Sequence, residues 1–184
     1  MKQFLDPNAL QKVKDFHTLF RSPVVVSPAI PSSDRCALRV SLLQEEVQEL
    51  ADAIQQDDLV EIADALADIQ YVLSGAVLEF GMGSCFKDLF DEVQRSNMSK
   101  ACKTHDEALL TQQHYKETKD TQSYIQQVSE TQWLVYRKGD DKALKSIHYS
   151  PANLPPILKS ATAATQKAST TSASTTTAKA KATT

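Results

Sequence analysis

Six carboxylates at helical spacing, with no basic residue among them, are the feature of this sequence that could do chemistry. Glu45, Glu46 and Glu49 fall within five residues, and Glu61, Asp64 and Asp68 follow at i, i+3 and i+7. Between Gln44 and Phe80 there is no Lys or Arg to neutralise them. Placed on the buried side of a helix, such a group costs several kcal/mol unless it is paired or binds a metal. Carboxylates facing one another across a groove therefore call for a hard divalent cation, Mg²⁺ first and Mn²⁺ as the alternative. The chemistry that follows is metal-assisted attack of water on phosphorus. A carboxylate not bound to the metal can act as general base for that water.

The elements that must hold these groups read as helices. On a wheel, Leu42, Leu43, Val47, Leu50, Ala53 and Ile54 share one arc, with Glu46 inside it and Glu49 at its edge. Ile62, Ala65, Leu66, Ile69, Val72, Leu73, Ala76 and Val77 form the core arc of the next helix, bordered by Glu61, Asp64 and Asp68. Ser32, Ser33 or Asp34 caps the first of these, and Asp57 or Asp58 caps the second, which stops at Gly81. The short loop between them makes them antiparallel, so the two acidic borders can face each other. A helix opened by Asp6 and Pro7 precedes them, joined by the Pro-rich segment 23–31, and a fourth begins at Ser84. The expected fold is all-α, an antiparallel four-helix bundle.

At this level the residues resemble a known family. EEVQE at 45–49 followed by EIADALADIQY at 61–71 is similar to the EExxE…ExxD signature of the all-α NTP pyrophosphatase superfamily, the MazG-like proteins. Phe16 and His17, and DEVQRSNMSK at 91–100, look like its phosphoribosyl-ATP pyrophosphohydrolase-like or Cof-like branch. The segment 136–156, with Gly139, Lys142, Lys145, Tyr149 and Pro151, is similar to that branch's C-terminal extended arm. One position departs from the pattern: Ala65 stands where many relatives carry the Glu three residues before the Asp at position 68. Either Asp64 and Asp68, or Glu61 and Asp64, then complete the metal site.

The resemblance implies Mg²⁺-dependent hydrolysis of a nucleoside triphosphate, a dNTP or modified NTP, to monophosphate and pyrophosphate. Glu46, Glu49 and Asp68 are the expected catalytic residues, with Glu45, Glu61 and Asp64 completing the metal set. Arg95, Asn97, Ser99 and Lys100 would contact substrate phosphates. It further implies a homodimer or homotetramer. Two alternatives are phosphoribosyl-ATP hydrolysis and a non-catalytic module whose acidic groove binds a basic partner. Ala65 favours the latter.

The remaining sequence narrows the setting. The chain has 184 residues and a net charge of -3, but the four lysines after residue 158 leave residues 1–158 near -7. An acidic body argues against stable nucleic-acid binding. The longest apolar run, residues 69–80, is interrupted by Gln70, Ser74 and Glu79, so no membrane span is expected. The first residues lack a basic start followed by an apolar run, and the three cysteines, Cys36, Cys85 and Cys102, have no metal-ligand spacing. A cytoplasmic protein is expected. Residues 1–158 read as the catalytic domain, with 103–131 a polar insertion forming a peripheral helix or a mobile segment. Trp133 to Tyr136 is β-like and suits a hairpin or an arm. Residues 159–184, rich in Ser, Thr, Ala and Lys, read as a disordered tail.

Overall fold

The computed structural model describes residues 4–180, with side chains described as far as residue 167. Six helices and a two-stranded sheet are present among them: α1 (Ala9–Leu19), α2 (Ser33–Gln55), α3 (Leu59–Glu79), α4 (Phe86–Met98), α5 (His105–Lys119), β1 (Ser123–Ser129), β2 (Gln132–Arg137) and α6 (Pro155–Ala180). The fold is thus mostly helical, with a small two-stranded sheet beside the helices. The chain divides into two compact units, Met1–Phe86 with Pro156–Thr184, and Lys87–Pro155.

In the first unit α3 is the centre. It packs along α2, and α1 packs on it as well. Asp58 starts α3 by accepting from the backbone N–H groups of Val60 and Glu61 at 2.9 and 3.2 Å, which satisfies two donors that the helix cannot. Apart from His17, Arg39 and Glu79, the buried residues of these helices are small or apolar (Val13, Ala53, Ala65, Ser74, Gly75, Val77, Leu78), which lets the helices approach closely. The connector after α1 crosses the end of α3, where Val25 N–H donates to Leu78 O and Ala29 N–H to Phe80 O, each at 3.0 Å.

Gly81 makes that crossing feasible. Its φ is +70°, and a Cβ at this position would lie 2.0 Å from the Ser27 carbonyl oxygen. Gly81→Ala therefore combines a left-handed backbone with a backbone clash, and should cost at least about 1–3 kcal/mol. Urea unfolding of the variant beside the parent checks this; an unchanged midpoint would contradict the crossing.

The arcs expected to form the core are only partly covered. Ala53 and Ala65 are buried, whereas Val47 is 54% exposed, Ile54 59% and Leu66 52%. Helical spacing showed which residues share a face but not whether this chain alone has anything to lay against it.

In the second unit, α5 and the β1–β2 hairpin enclose their own core of Cys102, Ala108, Val135 and Leu144, flanked by Tyr115, Ile125 and Trp133. The polar insertion is therefore ordered, half helix and half strand. Thr104 caps α5 by accepting from Glu107 N–H at 3.1 Å, and Glu107 reaches back to Lys103 N–H at 2.9 Å, close to a capping box. The β-like run pairs with residues before it, Ile125 opposite Val135, with a bulge between Gln127 and Ser129. A single bridge joins Tyr136 to Ala143 across the following turn.

α6 carries the segment expected to form a disordered tail, from residue 159 as far as Ala180. Alanine at many positions, with no Gly or Pro after residue 156, gives the segment helix propensity despite its lack of large apolar residues. Residues 181–184 of that expectation lie outside the described residues.

Candidate metal and phosphate site

The acidic set divides by exposure. Glu46 and Asp68 are half-buried, while Glu45, Glu49, Glu61 and Asp64 are exposed. The Glu46 carboxyl is held above the ordinary glutamate range, first by its burial and then by the like charges of Asp68, Glu49 and Glu45, with a hydrogen bond to Glu49. Packing of α3 on α2 thus sets Asp68 against the α2 acids. Glu61 and Asp64 are not among the groups acting on Glu46.

Among the described residues, no three acidic, histidine or cysteine side chains are grouped to hold a metal ion as they stand. The donor chemistry nevertheless fits a hard cation: every donor is a carboxylate oxygen, and the group at the centre is destabilised as an anion by its neighbours. Rotation of exposed side chains such as Glu45 and Glu49 costs little. Ala65, buried at 3% exposure, supplies no carboxylate.

Arg95, Asn97, Ser99 and Lys100 lie in the second unit and are engaged with one another and with the arm. Arg95 pairs with Glu92 through Nε and Nη2 at 2.7 and 2.8 Å, and Nη2 also donates to Pro151 O at 3.0 Å. Arg95 and the Asn153 N–H hold the Glu92 carboxyl down at about 2. Ser99 Oγ donates to Ser96 O at 2.7 Å and accepts from Ser150 N–H at 3.0 Å. Lys100 Nζ donates to Asn97 Oδ1 at 2.8 Å. Tyr149 accepts from Ser96 Oγ at 3.2 Å under the Lys145 ammonium, 4.3 Å from its ring centre. That hydrogen bond, followed by the Lys145 and Lys100 charges, holds the phenol below its usual range. These residues fasten the extended arm to the end of α4.

A buried charge cluster was not anticipated. Glu79, 1% exposed, is bridged by Arg35 and Arg39, with Arg35 Nε at 3.1 Å from Glu79 Oε2. Arg39 Nη2 donates to His17 Nε2 at 3.2 Å, and because arginine cannot accept, His17 Nδ1–H donates to Pro23 O at 2.8 Å. Gly75 leaves the room: a Cβ there would meet Arg39 Nη1 at 2.8 Å and His17 Nε2 at 3.0 Å. The cluster ties α1, α2, α3 and the connector together. Its only sequence signal was the acid Glu79 inside an otherwise apolar run.

Burial alone would push the Glu79 carboxyl up, but the hydrogen bonds and charges of Arg39 and Arg35 more than offset this and hold it below the ordinary range. A depressed native value means stability that is present above the unfolded glutamate pKa, ~4.3, and is lost as pH falls below it. Thermal melts between about pH 7 and about pH 3 should show the midpoint falling in that acid window, with a flatter dependence in Glu79→Gln. Equal slopes in parent and variant would refute the assignment.

No helix among the described residues is long and apolar enough to cross a membrane. The chain is similar to an uncharacterized protein of Acanthamoeba polyphaga mimivirus, 24% identical over an alignment covering 66% of this chain and 82% of that protein. The helical stretch that carries the acidic residues, α1 from Val13 through α2 and α3 to Asn97 near the end of α4, matches a described family. Residues 13–97, a little under half of the chain, match the phosphoribosyl-ATP pyrophosphohydrolase family, consistent with the MazG-like NTP pyrophosphatase superfamily and pointing to a pyrophosphohydrolase-type activity.

Proposed function

We propose that the chain is a Mg²⁺-dependent nucleotide pyrophosphohydrolase that converts a nucleoside triphosphate, a dNTP or modified NTP, to monophosphate and pyrophosphate. The observation that carries this reading is the opposition of Asp68 on α3 to Glu46, Glu49 and Glu45 on α2, inside the segment that matches the family. Glu46, Glu49 and Asp68 would hold the metal, with Glu45, Asp64 and Glu61 as outer donors. Bound there, Mg²⁺ (or Mn²⁺) supplies neutralisation of charge on the phosphoryl oxygens. A carboxylate of the set left free of the cation would orient the attacking water and take its proton. Arg95, Asn97, Ser99 and Lys100 are the proposed phosphate donors. They would have to exchange their present hydrogen bonds for the substrate's.

Pyrophosphate release from a panel of canonical and modified NTPs, with Mg²⁺ and with chelator, tests the reading. Metal-dependent release from at least one NTP supports it. Release from phosphoribosyl-ATP alone would favour the alternative that the family's description suggests. No release by a folded protein would leave a non-catalytic acidic module, the reading that Ala65 favours.

We also propose a homo-oligomer, a dimer before a tetramer. Val40, Val47 and Ile54 on α2, and Leu59, Leu66 and Leu73 on α3, recur every seven residues, and all six are exposed. Stripes of this period are what a second helical pair packs against. Leu66→Glu should shift the protein from dimer to monomer in sedimentation velocity; a monomeric parent, or a dimer undisturbed by the variant, would refute the seam.

A further inference from the structure

The second unit holds a cavity of about 330 Å³ between the end of α4, the start of α5, the hairpin and the arm. That volume is at the small end of ligand sites. Its lining brings together three basic side chains, Arg95, Lys103 and His148. Lys103 Nζ and the His148 ring make no hydrogen bond or ion pair with another described residue. Arg95 keeps Nη1 outside its bonds to Glu92 and the arm. The lining also contains one acid, Glu107, but both its oxygens are already used, one by Lys103 N–H at 2.9 Å and the other by Ser146 Oγ. Met98, Ala101 and the buried Cys102 give the cavity an apolar side.

We propose that this cavity binds a small phosphomonoester, its phosphate held by Lys103, His148 and Arg95 Nη1 and its organic part laid against Met98 and Ala101. A dianion with three acceptor oxygens matches three donors that line one cavity, and charge-assisted hydrogen bonds of this kind are the strong ones. Lys103 and His148 lie outside residues 13–97, so the site is built in part by sequence beyond the family match. The inference rests on the proposed function only through Arg95, and deepens it by extending the phosphate donors to Lys103 and His148.

The test is a titration of the full chain with phenyl phosphate and with inorganic phosphate, following the His148 ring protons by NMR. The expected result is a saturable shift at lower concentration for phenyl phosphate than for inorganic phosphate. Lys103→Gln should weaken it on the order of tenfold, the loss of one charge-assisted contact. Asp68→Ala should leave it unchanged, so binding can survive even if no NTP is hydrolysed. An absent or non-saturating shift overturns the proposal, as does one indifferent to Lys103→Gln. A shift abolished by Asp68→Ala overturns it too, because the phosphate would then belong to the acidic face.

Discussion

Asp68→Ala and Glu49→Ala should each lower kcat for NTP hydrolysis by about 10²–10⁴-fold, the range expected when a group positioned for proton transfer or for holding the reacting centre is lost. Asp68 is the α3 residue whose charge acts on Glu46 across the helix pair, and Glu49 acts on the same group from within α2. Asp68→Ala removes the α3 member of the set that acts on Glu46, and Glu49→Ala removes one of its α2 neighbours. Glu61→Ala and Asp64→Ala should cost far less, since neither acts on Glu46. Steady-state kinetics on all four variants would check this, with circular dichroism to confirm folding. If Glu61→Ala and Asp64→Ala were the inactive pair, the metal would sit one turn earlier on α3.

Arg39→Ala should destabilise the fold by about 3–5 kcal/mol, the cost of breaking a buried ion pair from one side. Arg39 is 8% exposed and Glu79 1%, so water cannot replace the lost guanidinium, and His17 loses its donor as well. Arg35 would remain as the one partner of Glu79, its side chain 35% exposed. A domain of this size is stabilised by only about 5–15 kcal/mol, so the loss is a large share. The surface pair Lys116–Asp120 provides the contrast: Lys116→Ala should change stability by less than about 1 kcal/mol. Urea unfolding reads both. Equal effects would mean that the cluster is not a tie between the helices.

Much of the helical frame was legible because its signals are local. Asp58 capping α3 and Gly81 ending it are both decided within a few residues, and each is where the sequence indicates. What escaped depends on distance along the chain. Glu79 finds Arg35 and Arg39 at separations of 44 and 40 residues, and no periodicity within α3 points to them. Of the hairpin, only the β-like run that forms β2 was legible. Its turn, Glu130-Thr131, carries no Gly or Asn, and β1 is mostly polar, so neither the turn nor the alternation signals a strand. The exposed faces of α2 and α3 show a limit of the wheel: it groups Val47 with Ala53, though only one of them is covered in this chain.

For the acidic site, residue type and spacing placed Glu46, Glu49 and Asp68 on facing borders before any coordinates. Among the α3 acids the resemblance put Asp68 first, and Asp68 is the one whose charge acts on Glu46. Arg95 and Ser99, expected to contact substrate phosphates, also help to fasten the arm. Lys103 and His148, unremarkable in sequence, are the basic groups left open.

Mn²⁺ binding followed by electron paramagnetic resonance tests whether Glu46, Glu49 and Asp68 together hold one divalent cation. Saturable binding near one Mn²⁺ per chain is expected, displaced by Mg²⁺ and lost in Asp68→Ala while the variant stays folded. Non-saturating binding, or saturable binding that Asp68→Ala leaves intact, would contradict that assignment.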